Sequence, residues 1–321
     1  MKYEPLKLHP CYKEYLWGGS RLKTDFYKED APAVTAESWE LADHPDGSSV
    51  IENGEFAGKT LSELAAVDRE GFLGERSRKE AFPILVKLID ACRDLSIQVH
   101  PSDATALPER GEQGKAEMWY VVDCAPQAFL YYGFSQRVDR EEFLRRAQDG
   151  SICQVLNRVP VKKGDVFYIL PGTIHAIGAG ILIAEIQQNS NTTFRVYDYQ
   201  RKGADGKLRP LHLERAASVI DYEPIIPAEC RMNNSSSFAG FTMSQMFACQ
   251  HFKAYCLEVR ESAGLCCDGA TFQHLLCVEG EAELRCGANS YHMRRGESFF
   301  LPAKLGAYQI KGASKLLLSC L

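Results

Sequence analysis

Leu95-Ser96-Ile97-Gln98-Val99-His100-Pro101 is the stretch on which the reading of this chain turns. Apolar Leu95, Ile97 and Val99 alternate with polar Ser96, Gln98 and His100, the period of a β-strand with two unlike faces. Gln98 and His100 stand two apart, so their side chains leave the strand on the same side. Downstream, Lys115-Ala-Glu117-Met-Trp-Tyr120 opens another β-rich run with a carboxylate. Further on, Gly164-Asp-Val-Phe-Tyr-Ile-Leu-Pro171-Gly172-Thr-Ile-His175 sets a histidine just past a tight Pro-Gly turn. One amide oxygen, two imidazoles and one carboxylate form a donor set suited to a borderline metal such as Zn²⁺, with a further position left for water or substrate.

Around these segments the pattern is dominated by strands. Ala81 to Ala91 (AFPILVKLIDA) is nearly continuous in apolar residues, as expected of a strand buried on both faces. Met118 to Val122, Phe129 to Phe134, Val166 to Leu170, Ile181 to Gln187 and Phe194 to Tyr199 are short, β-rich and bounded by turn formers. Thr60-Leu-Ser-Glu63 reads as a capping box opening a short helix. Asp139 with Glu142 caps a helical run through Ala147, and a second short helix is expected near Ile152 to Leu156, so a small helical insert spans about 137–158. Pro224, Pro227 and the Asn/Ser-rich stretch that follows read as a linker over 226–240. Beyond it a second set of short strands runs to the end. Many short, regularly spaced strands predict a mainly β fold of the barrel or jelly-roll kind, with one domain over 1–225 and another over 241–321.

Bulk properties narrow the function class. The chain has 321 residues, 45% of them hydrophobic and 25% charged, with a formal net charge of −5. That is a globular composition, and it offers no general attraction for nucleic acid or membrane surfaces. No apolar run approaches the roughly 18 residues that span a bilayer. The opening MKYEPLKLHP has no apolar stretch of secretory type. The twelve cysteines are scattered and form no C-x-x-C pair, as expected of small buried hydrophobes in a reducing compartment. The chain is therefore expected in the cytoplasm.

Several charged residues sit where apolar ones belong. Arg195 and Glu185 interrupt apolar strands, and the turn Asn189-Ser-Asn191 between them suggests a hairpin that sets Glu185 opposite Arg195. Such a pair either braces a sheet or faces an anionic ligand. Lys87 lies alone in the strand Ala81 to Ala91, and Lys115 lies two residues before Glu117. A lysine buried in a strand needs a counter-charge, for which a phosphate would serve. Lys162 and Lys163 read as solvated surface residues.

The order Gln-x-His, downstream Glu, then Pro-Gly-x-x-His resembles the two-part metal motif of cupins, with Gln98 in a place usually held by His. Leu95–Pro101, Gly114–Tyr120, Leu170–Ala176, Glu185-Ile-Gln-Gln188 and Phe194-Arg-Val-Tyr-Asp198 together resemble type I mannose-6-phosphate isomerases, and the compact length resembles the short bacterial form. Trp17-Gly-Gly19, Glu37-Ser-Trp-Glu40 and Gly206-Lys-Leu-Arg209 with Leu211-His212 extend the likeness across residues from about 5 to 215. The resemblance implies a cupin catalytic domain with one Zn²⁺ per chain on Gln98, His100, Glu117 and His175. It further implies a catalytic Arg195, with Lys115, Lys87, Ser96 and Glu185 lining a sugar-phosphate site. The departures are Phe194 where Tyr is common and Tyr199-Gln200 where a Trp-containing pair is usual. In the second domain the turn Gly296-Glu-Ser-Phe-Phe-Leu-Pro302 is kept, but Gly306 and Ala307 fall where a histidine ligand is expected. That domain reads as a degenerate cupin without metal, and His251, His274 and His292 as structural or surface residues.

The implied reaction interconverts mannose 6-phosphate and fructose 6-phosphate through a cis-enediol. Glu185 raised by burial and Lys115 lowered by a neighbouring metal both qualify as the base. Two other readings compete: a sugar-phosphate-binding regulatory cupin without catalysis, and a metal-dependent oxygenase. The second prefers a three-histidine iron site, whereas Gln98 and Glu117 with two histidines and buried cations fit a phosphorylated polyol. The expected partner is a small sugar phosphate, and the chain is expected as a monomer or homodimer.

Overall fold

The computed structural model describes residues 3–77, 81–106, 112–203, 206–227 and 234–321. The fold is mainly β, with 45% strand and 14% helix. Two antiparallel sheets form the first half. The six-stranded one runs Val166–Ile169, Glu117–Cys124, Ile181–Gln188, Ile84–Ala91, Glu37–Leu41, Cys11–Lys13. The five-stranded one runs Leu156–Pro160, Phe129–Phe134, His175–Ile177, Ile97–Val99, Phe194–Tyr197. In neither does the first strand pair with the last, so the expected barrel is an open sandwich of two facing sheets.

Strand alternation sorts the side chains into layers. In Ile84–Ala91, Val86 and Leu88 point outward while Lys87 and Ile89 point into the sandwich. Met118 and Tyr120 point outward and Trp119 and Val121 inward, as do Ala184 and Ile186 against Ile183. The inner layer gathers Ile89, Trp119, Val121 and Ile183 from one sheet and Leu130 and Ile177 from the other. The outer face of the five-stranded sheet is covered by the helices Arg140–Asp149 and Leu213–Val219, through Phe143, Ala147, Ala216 and Ala217. The outer face of the six-stranded sheet is covered by the helix Leu61–Leu73 and by the C-terminal strands, through Phe252, Phe272, Phe300 and Leu317. Phe272 lies between Phe82 at 5.5 Å and Phe300 at 5.2 Å, aromatic pairs each adding about 0.5–1.5 kcal/mol beyond simple burial. This explains why Ala81 to Ala91 reads as buried on both faces: one face is core and the other lines a cavity.

The strands from Asn234 onward supply nine members of an eleven-stranded assembly around a separate core of Leu257, Leu275, Leu284, Phe299 and Leu318. It also takes in the strands Leu6–His9 and Val50–Ile51 from the start of the chain, with Leu6 opposite Phe300 and Leu8 opposite Ser298. The expected division at residue 225 thus separates stretches of sequence but not the packed layers.

Several expected boundaries shift. Within the expected linker 226–240, residues 228–233 lie outside the described residues, and Asn234–Phe238 is a strand paired with Phe241–Ala248. The helical insert ends earlier than expected, because Leu156–Pro160 already pairs with Phe129–Phe134. Its cap is as read: the Asp139 carboxylate accepts from the Glu142 backbone N–H at 2.8 Å. Thr60 and Glu63 form the expected capping box. The Asn189-Ser-Asn191 turn does not make a hairpin. Ile181–Gln188 pairs with Ile84–Ala91 and Glu117–Cys124, whereas Phe194–Tyr197 belongs to the opposite sheet and pairs with Ile97–Val99. Glu185 and Arg195 are therefore not cross-strand neighbours. Among the described residues no helix is long and apolar enough to cross a membrane.

Candidate metal centre and active-site cavity

Register alone brings the candidate donors together. His175 and Arg195 both stand opposite Gln98, on the strands to either side of Ile97–Val99. Across the sandwich, Glu117 stands opposite Gln187, and Glu185 stands between Trp119 and Lys87. The Pro171-Gly172 turn delivers His175 to its strand; Gly172 adopts φ +88°, a left-handed backbone that favours glycine.

His100, Glu117 and His175 are fully buried, and their ligand atoms lie within 4.8 Å of one another. They are the cluster of this kind among the described residues. His100 donates from Nδ1 to the Thr192 carbonyl at 2.9 Å and His175 from Nδ1 to the Thr173 carbonyl at 2.8 Å. Those bonds fix both tautomers and turn two Nε2 lone pairs toward Glu117. Gln98 Nε2 is 3.4 Å from His175 Nε2, so the amide lies at the same point. Burial holds His100 below the ordinary histidine range and pushes His175 down to about 3, which keeps both rings neutral. Burial alone would raise Glu117, but Lys115 and His100 hold its carboxyl well below the ordinary range. Both Glu117 oxygens are buried without an aligned hydrogen bond, although Lys115 Nζ comes within 2.6 Å and His100 Nε2 within 3.2 Å of Oε1. The first of these is a charge contact of poor angle rather than a made bond. Lys115 Nζ is also 3.3 Å from His100 Nε2, so an ammonium stands where the donors converge. Two oriented lone pairs, an orphaned carboxylate and a cation already drawn to them fit a divalent metal of the zinc type.

Above this cluster opens a cavity of about 240 Å³ lined by Lys87, Ser96, Lys115, Glu185 and Arg195, which were expected at a substrate site, and by Gln98, which was expected as a metal ligand. Its walls also include Glu37, Tyr15 and Arg209, which were not singled out from the sequence. Lys87 does not wait unpaired for a phosphate: its Nζ lies 3.4 Å from Glu37 and 3.4 Å from Glu185. Burial would lower the Lys87 ammonium, but the two carboxylates raise it. Glu185 accepts from the Trp119 indole Nε1–H at 2.8 Å. Burial and the nearby Glu117 charge, opposed by Lys87 and Lys115, raise Glu185 to about 7. Trp119 was missed as a site residue. Its position two after Glu117, on the same strand face, is the signal that could have found it.

An open two-sheet sandwich with a His/Glu/His cluster on its floor defines a cupin-type fold with a metal-type centre. Comparison with known proteins agrees. Residues 6–121 match the family "Phosphomannose isomerase type I, catalytic domain", and residues 242–321 match "Mannose-6-phosphate isomerase, cupin domain". The chain is 39% identical over 320 residues to mannose-6-phosphate isomerase ManA of Bacillus subtilis (strain 168), covering 99% of both. It is 35% identical over 319 residues to the mannose-6-phosphate isomerase of Streptococcus mutans, covering 98% of both. The crystal structure of mannose 6-phosphate isomerase from Bacillus subtilis superposes with a TM-score of 0.90 at 34% identity, over 98% of this chain and 99% of that one. A putative mannosephosphate isomerase from Archaeoglobus fulgidus, 22% identical with a TM-score of 0.77, shares the fold. The chain belongs to the type I phosphomannose isomerase family.

Proposed function

We propose that this chain interconverts mannose 6-phosphate and fructose 6-phosphate as a zinc-dependent aldose–ketose isomerase in the cytoplasm. The observation that carries the reading is Glu185: a buried carboxyl raised to about 7, beside a metal-type donor cluster and facing a cavity. A base in that range accepts a carbon-bound proton and returns it at neutral pH. Gln98, His100, Glu117 and His175 would hold the metal, which supplies Lewis acidity for negative charge on the sugar oxygens. Glu185 takes the proton from C2 of the ring-opened aldose as O1 gains a proton to give the cis-enediol, and returns its proton to C1 as O2 gives one up. Trp119 Nε1–H and Lys87 hold the Glu185 carboxylate in place and limit its pKa. Glu185, raised to about 7 at the cavity wall, is the group to which we assign the base role. Arg195, half-buried, carries positive charge to the cavity wall, where it steadies an anionic substrate. The free thiols of the described cysteines suit a reducing compartment.

The test is a coupled assay for fructose 6-phosphate from mannose 6-phosphate, on protein as purified, after chelation, and after zinc is restored. Activity that disappears with chelation and returns with zinc is expected. Glu185→Gln should then retain metal but lose solvent-hydrogen exchange into the sugar, whereas the same loss only in Lys115→Ala would reassign the base. A folded, zinc-loaded sample with no turnover would overturn the isomerase reading in favour of a regulatory binder.

A further inference from the structure

Lys115 stands beyond the end of the sheet that should aim it. The ladder between Glu117–Cys124 and Ile181–Gln188 closes with Glu117 opposite Gln187, two residues short of Lys115. Regular strand pairing therefore does not set the direction of this side chain, yet its ammonium lines the cavity and reaches Glu117 Oε1 at 2.6 Å. What fixes it is a clasp on three consecutive amides. Gly114 N–H donates to Asp103 Oδ1 at 2.8 Å, and Lys115 N–H to the Pro101 carbonyl at 2.9 Å. Ala116 N–H donates to Gln188 Oε1 at 3.0 Å. Gln188 also donates its own backbone N–H to the Ala116 carbonyl at 3.1 Å, so one residue grips both polar groups of Ala116. Its Nε2–H then reaches Asp103 Oδ1 at 3.1 Å, which closes the ring back onto Gly114. The side-chain amide of Gln188 thus stands in for the peptide that the ladder lacks. The fit is close: a Cβ at Gly114 would lie 2.3 Å from the Asp103 nitrogen. Gln188 is 2% exposed, so without its amide the Ala116 N–H would be left buried and unpaired.

We propose that Gln188, with Asp103 behind it, is the positioning residue that aims Lys115 into the reaction cavity. Gln188 and Asp103 stand outside the cavity walls and act through the backbone of Gly114–Ala116. A misplacement of about 1 Å at a reacting group can cost on the order of 10²-fold in rate, so a residue away from the substrate can govern turnover. Asp103 has the smaller share, because the Lys115 and Ala116 amides keep their acceptors without it.

The inference rests on the isomerase reading for its kinetic consequence, so the experiment has one arm that needs turnover and one that does not. In the first, kcat and KM for mannose 6-phosphate are measured on zinc-loaded wild type, Gln188→Leu, Lys115→Met and the double variant, with unfolding midpoints alongside. Gln188→Leu should lower kcat roughly 10- to 100-fold while KM moves by no more than about twofold. In the Lys115→Met background the same exchange should cost less than about threefold, since a residue that acts through Lys115 has nothing left to aim. Losses that simply multiply would overturn the proposal and make Gln188 a structural residue. Asp103→Ala, at a side chain 43% exposed, should fold as wild type does and show the same split at roughly 3- to 10-fold in kcat. If Gln188→Leu fails to fold, an unchanged kcat in Asp103→Ala overturns the proposal. In the second arm each lysine is labelled with acetic anhydride and read by peptide mass spectrometry. Labelling of Lys115 should rise about fivefold or more in Gln188→Leu, and that of Lys87, equally buried, should not. A rise at both lysines or at neither would overturn the proposal. A rise at Lys115 alone, in a protein whose wild type shows no turnover, would uphold the clasp and sink the isomerase reading instead.

Discussion

Exchange of Lys87 for Met separates two roles that this lysine could play. Its Nζ lies 3.4 Å from Glu37 Oε2 and 3.4 Å from Glu185 Oε2, and the side chain is 3% exposed. At an effective dielectric of about 20, each contact is a gross attraction of about 5 kcal/mol. Desolvation offsets most of that, but removing one partner from a buried charge cluster still costs about 3–5 kcal/mol. For a chain of this size the melting midpoint should fall by roughly 4–7 °C. If only about a quarter of the Lys87–Glu185 attraction is felt at the carboxyl, its pKa rises by about one unit. Glu185, held at about 7 in the wild type, would then titrate about one unit higher. Activity at pH 7 should drop about fivefold or more and recover toward pH 9, because the base must be ionised to act. The assay is kcat/KM for mannose 6-phosphate across pH 5.5–9.5, with the midpoint from calorimetry. An unmoved acid limb with KM alone raised would refute the reasoning and return Lys87 to the phosphate.

Trp119→Phe keeps the buried ring but deletes the Nε1–H that meets Glu185 at 2.8 Å. A hydrogen bond to a charged acceptor is worth about 1.5–3 kcal/mol, so the acid limb should again move up by about a unit; an unchanged pH profile would dissociate Trp119 from the base. His274 is buried with Nε2 unpartnered, and burial pushes it down to about 3. Its folded pKa is depressed, so the stability it leaves intact above the unfolded value near 6.5 is lost as pH falls below it. At pH 5 that loss is about 2 kcal/mol relative to pH 7. Urea unfolding of His274→Leu and wild type at the two pH values checks this, and an equal pH slope in both would contradict it.

Much of the site was legible because it is written in strand period. Gln98 and His100 on one side of Ile97 and Val99, and Lys87 in a strand otherwise apolar, both mark side chains turned into a cavity. The partner of Glu185 was not legible. The Asn189-Ser-Asn191 segment has hairpin composition, yet its side chains bond elsewhere: Asn189 Nδ2 donates to the carbonyls of Asp43 and Phe82, and Gln187 Nε2 to that of Ser190. Those tertiary bonds carry the chain across to the other sheet. Asn234–Phe238 is Ser-rich and exposed throughout, so its strand state comes from its neighbour rather than its own propensity. The helix Leu213–Val219 is too short to announce itself by period. Arg209 was overlooked as a cavity residue because the convergence of distant side chains on one wall is visible only in three dimensions.

The pairing of Leu6–His9 with Ser298–Leu301 bears on how the chain is made. On the ribosome Leu6–His9 meets Val50–Ile51 early, but its other partner, Ser298–Leu301, arrives roughly 290 residues later, about 15–60 s at ordinary rates of synthesis. Until then the outward side chains of the catalytic sheet, Val86, Leu88, Met118 and Ile186, also lack Phe300 and Leu317. The nascent chain must therefore hold a half-covered sheet until Phe300 and Leu317 are made. Residues 298–317 thus complete the mould around the first-made sheet even if they never touch a substrate.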